Sequence, residues 1–177
     1  MLRWVHSIIK RWHRSHDGVA AVEAALVFPI LLTLLLGPFD IGNGVLANQK
    51  TIRASQVVGD LITRERSVDT ASINEAIEAG ELALLPMDVS SYGVDIVSIR
   101  FDNNSDPVIV WRQTQGMAPL ADVLDRVDNL AEPGNGVVVV TVQYLFEPIF
   151  AGFVVDAIPM QEIAFTRGRK SAVVNRV

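Results

Sequence analysis

The sequence predicts an α+β protein: one long N-terminal helix, its first half in a membrane, leading to a small domain with an antiparallel sheet of about four strands. Three observations carry this expectation. Val19 to Leu36 is an apolar run with a single charge, Glu23. At about 1.5 Å per residue, these roughly eighteen positions make a helix of about 27 Å, close to the ~30 Å hydrocarbon thickness of a bilayer. Beyond Pro86 the composition turns β-branched, most strongly in VVVVTVQYLFE at 137–147. Finally, 177 residues that are 50% hydrophobic, less a membrane segment and its flank, leave about 135 for one compact domain with a single core.

Charge orients the chain. Residues 1–18 carry Arg3, Lys10, Arg11 and Arg14 against Asp17, a local +3; the net charge of −5 therefore leaves −8 for the rest. A basic flank before an apolar span marks the cytoplasmic side, so the C-terminal domain is expected across the membrane. An acidic domain is a poor nucleic-acid binder, because it repels phosphate. The expected organisation is a basic leader at 1–18, a transmembrane helix at 19–39 and an extracytoplasmic domain at 40–177, of which 40–64 extend the helix and 65–177 are globular. Leu26, Val27, Phe28, Ile30, Leu31, Leu32, Leu34, Leu35 and Leu36 are the candidate anchor.

Pro29 lies inside the apolar helix, which membrane helices tolerate, and Gly37-Pro38 reads as a bend. Ile41, Val45, Ile52, Val58 and Ile62 then recur at spacings compatible with one helical face. Ser72 with Glu75 has capping-box spacing and opens a short helix, INEAIEAGELALL, stopped by Pro86. Tyr92 to Phe101 reads as a strand whose alternation slips between Ile96 and Val97, as at a bulge. Asp102 to Asp106 makes a turn into a second strand, Pro107 to Gln113. Ala118 to Ala131 reads as a helix with Val123, Leu124, Val127 and Leu130 on one face. Val137 to Glu147 is expected to be a central strand, Pro148 to Pro159 an apolar connection and Gln161 to Arg169 the last strand.

Much chemistry is disfavoured. The chain has no cysteine, and His6, His13 and His16 all precede Gly18. The outer part therefore lacks the residues of most nucleophilic triads and nearly all zinc sites, and the three histidines of the basic flank are too irregularly spaced for a metal tract. Asp102, Asn104 and Asp106 alternate as in a calcium loop, but Pro107 stands where that loop needs glycine and Gln113 where it needs glutamate. Gly134-Asn135-Gly136 lacks the following helix and lysine of a phosphate loop. Tyr144, Phe146, Phe150 and Phe153 fit core or interface packing better than a ligand groove. No enzyme activity, cofactor, metal or small-molecule substrate is expected.

Glu23 is the anomaly, since a charge at the centre of a membrane helix costs on the order of 2.5 to 3.5 kcal/mol. The stretch Gly18 to Glu23 resembles the processing site of type IV pilin-like proteins: a basic leader, Gly, then an apolar helix with Glu at its fifth position. DGVAAVEAALVFPILLTLLLGPFDIGN looks like the start of TadE-like proteins, the minor pseudopilins of tight-adherence (Tad or Flp) pilus systems. SIRFD with VIVWR, and VVVVTVQYLFEPIF with AFTRGRK, resemble the family's hairpin and C-terminal sheet.

The resemblance implies a pilin-like fold and a prepilin-type leader peptidase cutting between Gly18 and Val19. It also implies other pilins or pseudopilins and assembly-platform proteins as partners. Glu23, one turn from the new amine of Val19, would neutralise such an amine on a neighbouring subunit and so set helix register. Ala24 departs from the tyrosine usual in the major pilin, which speaks for a minor subunit. An uncleaved bitopic anchor also explains the apolar run, as does a signal peptide cut after Val45-Leu46-Ala47, but neither explains Glu23. A membrane-presented adhesive domain is the further alternative.

Overall fold

A computed structural model of the chain describes residues 16–152 and 154–177. Most of the expected leader, including Trp4, Trp12, His6 and His13, lies outside the described residues, as does Phe153.

Helix α1, His16–Thr63, runs for 48 residues with Pro29 and Pro38 inside it. Gly37-Pro38 therefore does not interrupt the helix. A proline removes one backbone donor, and a helix held on both sides of that position survives the loss. Downstream of Pro38 the helix is held by packing on α2, Thr70–Leu84, and on two strands of the sheet. Of the face expected inside, Val58 and Ile62 are buried and Ile52 is half-buried, joined by Ala47, Thr51, Ala54 and Ser55, whereas Ile41 is 70% and Val45 55% exposed. Small residues win because α1 lies close to its neighbours. A Cβ on Gly59 would stand 3.0 Å from Thr166 Oγ1, and one on Gly80 of α2 would meet Val58 Cγ2 at 2.5 Å.

Asp69, not Ser72, caps α2, its carboxylate accepting from the Ser72 backbone N–H at 2.8 Å. Ser72 is instead the third residue of the helix, the position whose orphan N–H a cap satisfies. Leu85 follows the last helical residue and Pro86 the cap, as expected.

Four strands form one antiparallel sheet in the order β3-β2-β4-β5: β2 Gly93–Phe101, β3 Pro107–Gln115, β4 Gly136–Phe146 and β5 Ile158–Thr166. A two-residue parallel pair, β1 Ser67–Val68 with β6 Asn175–Arg176, ties the C-terminus to the connection between α1 and α2. The expected central position of β4 is correct, and β2 shares it. Both are buried on two faces, so continuous apolar runs replace alternation. This accounts for the apparent slip at Ile96 and Val97, which is not a bulge. The register shifts instead where Ser98 faces Trp111 and Ile99 faces Ile109, leaving Val110 of β3 as the extra residue.

On one face Val94, Ile96, Val138, Val140 and Val142 meet the helices. On the other, Val97, Ile99, Phe101, Val137 and Val139 are covered by residues 120–131. That cover forms a 3-10 helix, Asp125–Leu130, preceded by turns rather than the expected α-helix. Val123 and Val127 are still its buried residues, with Leu124 and Leu130 half-buried beside them. Two prolines, Pro119 and Pro133, bracket this short piece. The β2–β3 turn is closed by Asp102, whose Oδ1 accepts from the N–H groups of Asn104 and Asp106 at 2.8 and 2.9 Å, and Ser105 takes φ 70°.

Candidate membrane and assembly face

The first half of α1 is bare. Within the described residues it is the helix long and apolar enough to cross a membrane, and none of its most apolar window is buried inside the chain. Val19, Val22, Leu26, Phe28, Ile30 and Leu34 are each between 57% and 69% exposed; Val27, Leu31, Leu32 and Leu35 are exposed as well, and Leu36 is half-buried. In water such a surface would be strongly unfavourable, because burial of apolar area drives folding at about 25 cal/mol per Å². A lipid phase or the apolar helices of other subunits remove that cost.

Gly18 and Val19 sit in the first turns of this helix, and nothing among the described residues would obstruct a Cβ at Gly18. Glu23 follows Val19 by one turn, is exposed, and has no ion-pair partner among the described residues. Any partner for this carboxylate therefore comes from outside the described fold.

The junction of bare and packed helix holds a residue that sequence reasoning missed. Asp40 is 6% exposed. Its carboxylate accepts three backbone N–H bonds from the β4–β5 connection: Ile149 at 2.9 Å, Phe150 at 2.9 Å and Ala151 at 2.6 Å. Phe39 beside it meets Phe150 edge to face, ring centroids 5.4 Å apart at 71°. An unpaired carboxylate in this position would be heavily penalised; three charge-assisted bonds make it a fastener. Of the aromatics singled out above, Tyr144 and Phe146 lie in the core at 6% and 5% exposure, and Phe150 remains 40% exposed. The available signal was an acid directly after an apolar run, which also describes an ordinary solvated boundary residue.

Two further ionic clusters hold the domain to the helix and close its outer cover. Asp60 accepts from Arg64, just past the end of α1, and from Arg169 of the C-terminal segment, while Lys170 bridges to Glu65 at 3.1 Å. Arg64 and Arg169 hold the Asp60 carboxyl below its ordinary value. Asp95 of β2 is fully buried. It takes the Arg112 guanidinium side-on at 2.9 and 2.5 Å, the Thr114 hydroxyl at 2.7 Å and the Leu120 N–H at 3.0 Å. Arg112 also donates to the Leu120 carbonyl at 2.9 Å. Burial pushes the Asp95 carboxyl up, but the bonds from Arg112, Leu120 and Thr114 outweigh it and hold the group below its ordinary value. These clusters are structural: every acceptor already holds a protein donor.

No group of three or more histidine, aspartate or glutamate side chains converges as a metal site among the described residues. Two surface concavities with largely apolar linings lie at the same junction. A groove of about 460 Å³ runs between Pro29, Leu32, Leu36 and Gly37 of α1 and Phe150, Val154 and Val155 of the connection. A second, of about 670 Å³, continues past Ile41 and Val45 towards Ile158 and Met160.

No curated protein matches the chain. No solved structure matches it. A family model does: the model described as TadE-like protein matches residues 18–59, from the glycine before the apolar run to the part of α1 that packs on the sheet. Over those residues, fewer than half of the chain, it is similar to TadE-like proteins, which fits a protein associated with the tight-adherence pilus system.

Proposed function

We propose that this chain is a minor pseudopilin of a tight-adherence pilus, made with a leader, cut between Gly18 and Val19, and acting without enzymatic chemistry. The observation that carries the reading is a carboxylate on a bare apolar helix that is continuous with a folded head. Glu23 has no partner among the described residues, and a charge in lipid without one is costly. A free amine on Val19 of a neighbouring subunit would neutralise it, so correct stacking of apolar helices is favoured and misregistered stacking is not. The N-terminal side is cytoplasmic in this reading, because the basic residues precede the span. The acidic head then lies across the inner membrane, where it meets other pilins and the assembly platform. The subunit initiates, primes or caps the fibre.

Mass spectrometry of the mature N-terminus tests the first step. A chain beginning at Val19 is expected, and an intact leader would instead make the protein a permanently anchored scaffold. Gly18→Phe is expected to accumulate the longer precursor. Glu23→Ala is expected to be cut normally yet fail to support pilus assembly; normal pili in that strain refute the role of the carboxylate.

A further inference from the structure

The connection between β4 and β5 is an exposed apolar segment of the folded domain. Residues 148–155, PIFAGFVV, carry no charge and are bracketed by Glu147 and Asp156. Among its described side chains, Val154 is 74%, Ile149 67%, Val155 42% and Phe150 40% exposed. Such a loop is anomalous in water, where exposed connections carry polar residues and contiguous apolar patches mark contact sites. Its position is equally unusual. It does not extend away from the molecule but lies along α1, facing Pro29, Leu32, Thr33, Leu36 and Gly37. Pro29 to Gly37 spans about 12 Å of helix at 1.5 Å per residue. This is the domain-proximal part of the apolar run itself.

We propose that residues 149–152 and 154–155 are immersed in the bilayer leaflet nearest the folded domain, with Asp40 as the clasp that holds them there. The inference rests on α1 spanning the membrane. Immersion is possible only if the loop's backbone groups are satisfied internally, since lipid supplies no hydrogen bonds. Several of them are. The Asp40 carboxylate takes the N–H groups of Ile149, Phe150 and Ala151, and the Ala151 carbonyl takes those of Val154 at 2.9 Å and Val155 at 2.8 Å. The apolar surface of the loop is continuous with the bare helix through the Phe39–Phe150 contact. Lipid is thus the occupant that covers both at once. Glu147 and Asp156 stand at the polar boundary. With two chain segments in the leaflet instead of one, the head is restrained against swivelling about α1 at the membrane surface.

The absence of cysteine allows single-site labelling of the full chain. Val154→Cys, Leu34→Cys and Asn104→Cys, each labelled with an environment-sensitive fluorophore, are reconstituted in phosphatidylcholine–phosphatidylglycerol vesicles containing lipids spin-labelled along the acyl chain. The Leu34 site reports the span and the Asn104 site, in the β2–β3 turn, reports water. Quenching at the Val154 site is expected within two-fold of the Leu34 site and at least three-fold above the Asn104 site. In an Asp40→Ala background, quenching at the Val154 site is expected to fall at least two-fold while the Leu34 site is unchanged. A Val154 site that behaves like Asn104 while Leu34 is quenched overturns the immersion. Cross-linking of the Val154 site to a second copy without lipid quenching also overturns it, in favour of a subunit contact. Unchanged quenching in the Asp40→Ala background overturns the clasp. An unquenched Leu34 site removes the membrane-spanning reading itself.

Discussion

Removing the Asp95 carboxylate is expected to detach the cover of the sheet. Asp95→Ala leaves the Arg112 guanidinium, the Thr114 hydroxyl and the Leu120 N–H without their common acceptor, and the last of these anchors residues 118–131 over Val97, Ile99 and Val139. Breaking one side of a buried pair costs about 3 to 5 kcal/mol. The Arg112 side chain retains 24% exposure and rehydrates in part, which places this loss near the lower end. At roughly 3 °C per kcal/mol for a domain of this size, the midpoint of thermal unfolding falls by about 10 °C. The assay is thermal and urea unfolding of the full chain in detergent micelles, followed by near-UV circular dichroism. The same carboxylate makes stability pH-dependent. Its folded-state pKa is depressed, so its contribution is present above the unfolded carboxyl value and is lost as pH falls through the folded one. Acidification below about pH 4 should therefore destabilise the wild type more than Asp95→Asn, which has no charge to lose. A loss under about 1 kcal/mol in Asp95→Ala, with an unchanged urea slope, would refute the clamp.

Gly80→Ala places a methyl group against Val58 and the Tyr92 hydroxyl, where α1, α2 and the start of β2 meet. Overpacking costs about 1 to 3 kcal/mol and the helix-propensity gain returns about 1, so urea denaturation should show a net loss of up to about 2 kcal/mol. Asp69→Ala removes the cap of α2 and should lower the unfolding midpoint by less than Asp95→Ala does, with Asp69→Asn retaining most of it. The Ser72 N–H holds the Asp69 carboxyl below its ordinary value, so this contribution too is lost on acidification rather than in base, which a pH series of unfolding midpoints checks.

What was legible in the sequence is what nearest neighbours decide. An uninterrupted apolar run makes a helix whatever packs on it, and β-branched stretches around Asp102 to Asp106 make a hairpin because the turn residues satisfy their own backbone. Competing local signals were resolved by geometry further away. Asp69 and Ser72 are both good caps, and the chain reversal after β1 placed the first turn at Thr70. Between Ala118 and Ala131 the apolar spacing suits an α-helix and a 3-10 turn alike. The Asp95 bond to Leu120 and the prolines on either side select the tighter form. Ile41 and Val45 looked like core because they share the helical spacing of Val58 and Ile62, but where α1 first approaches the sheet and α2 the buried positions are Ala47, Thr51 and Ala54.

By itself, the sequence determined the membrane-length helix, the lone carboxylate Glu23 within it, the α+β class and the family resemblance over the N-terminal stretch, since each is a property of consecutive residues. Only the tertiary structure decided that Asp40 is not a solvated boundary acid. Its three donors lie 109 to 111 residues downstream. Long-range hydrogen bonds of this kind leave no periodicity in the chain, and they form only once β4 and β5 have paired and carried the apolar connection back to the helix.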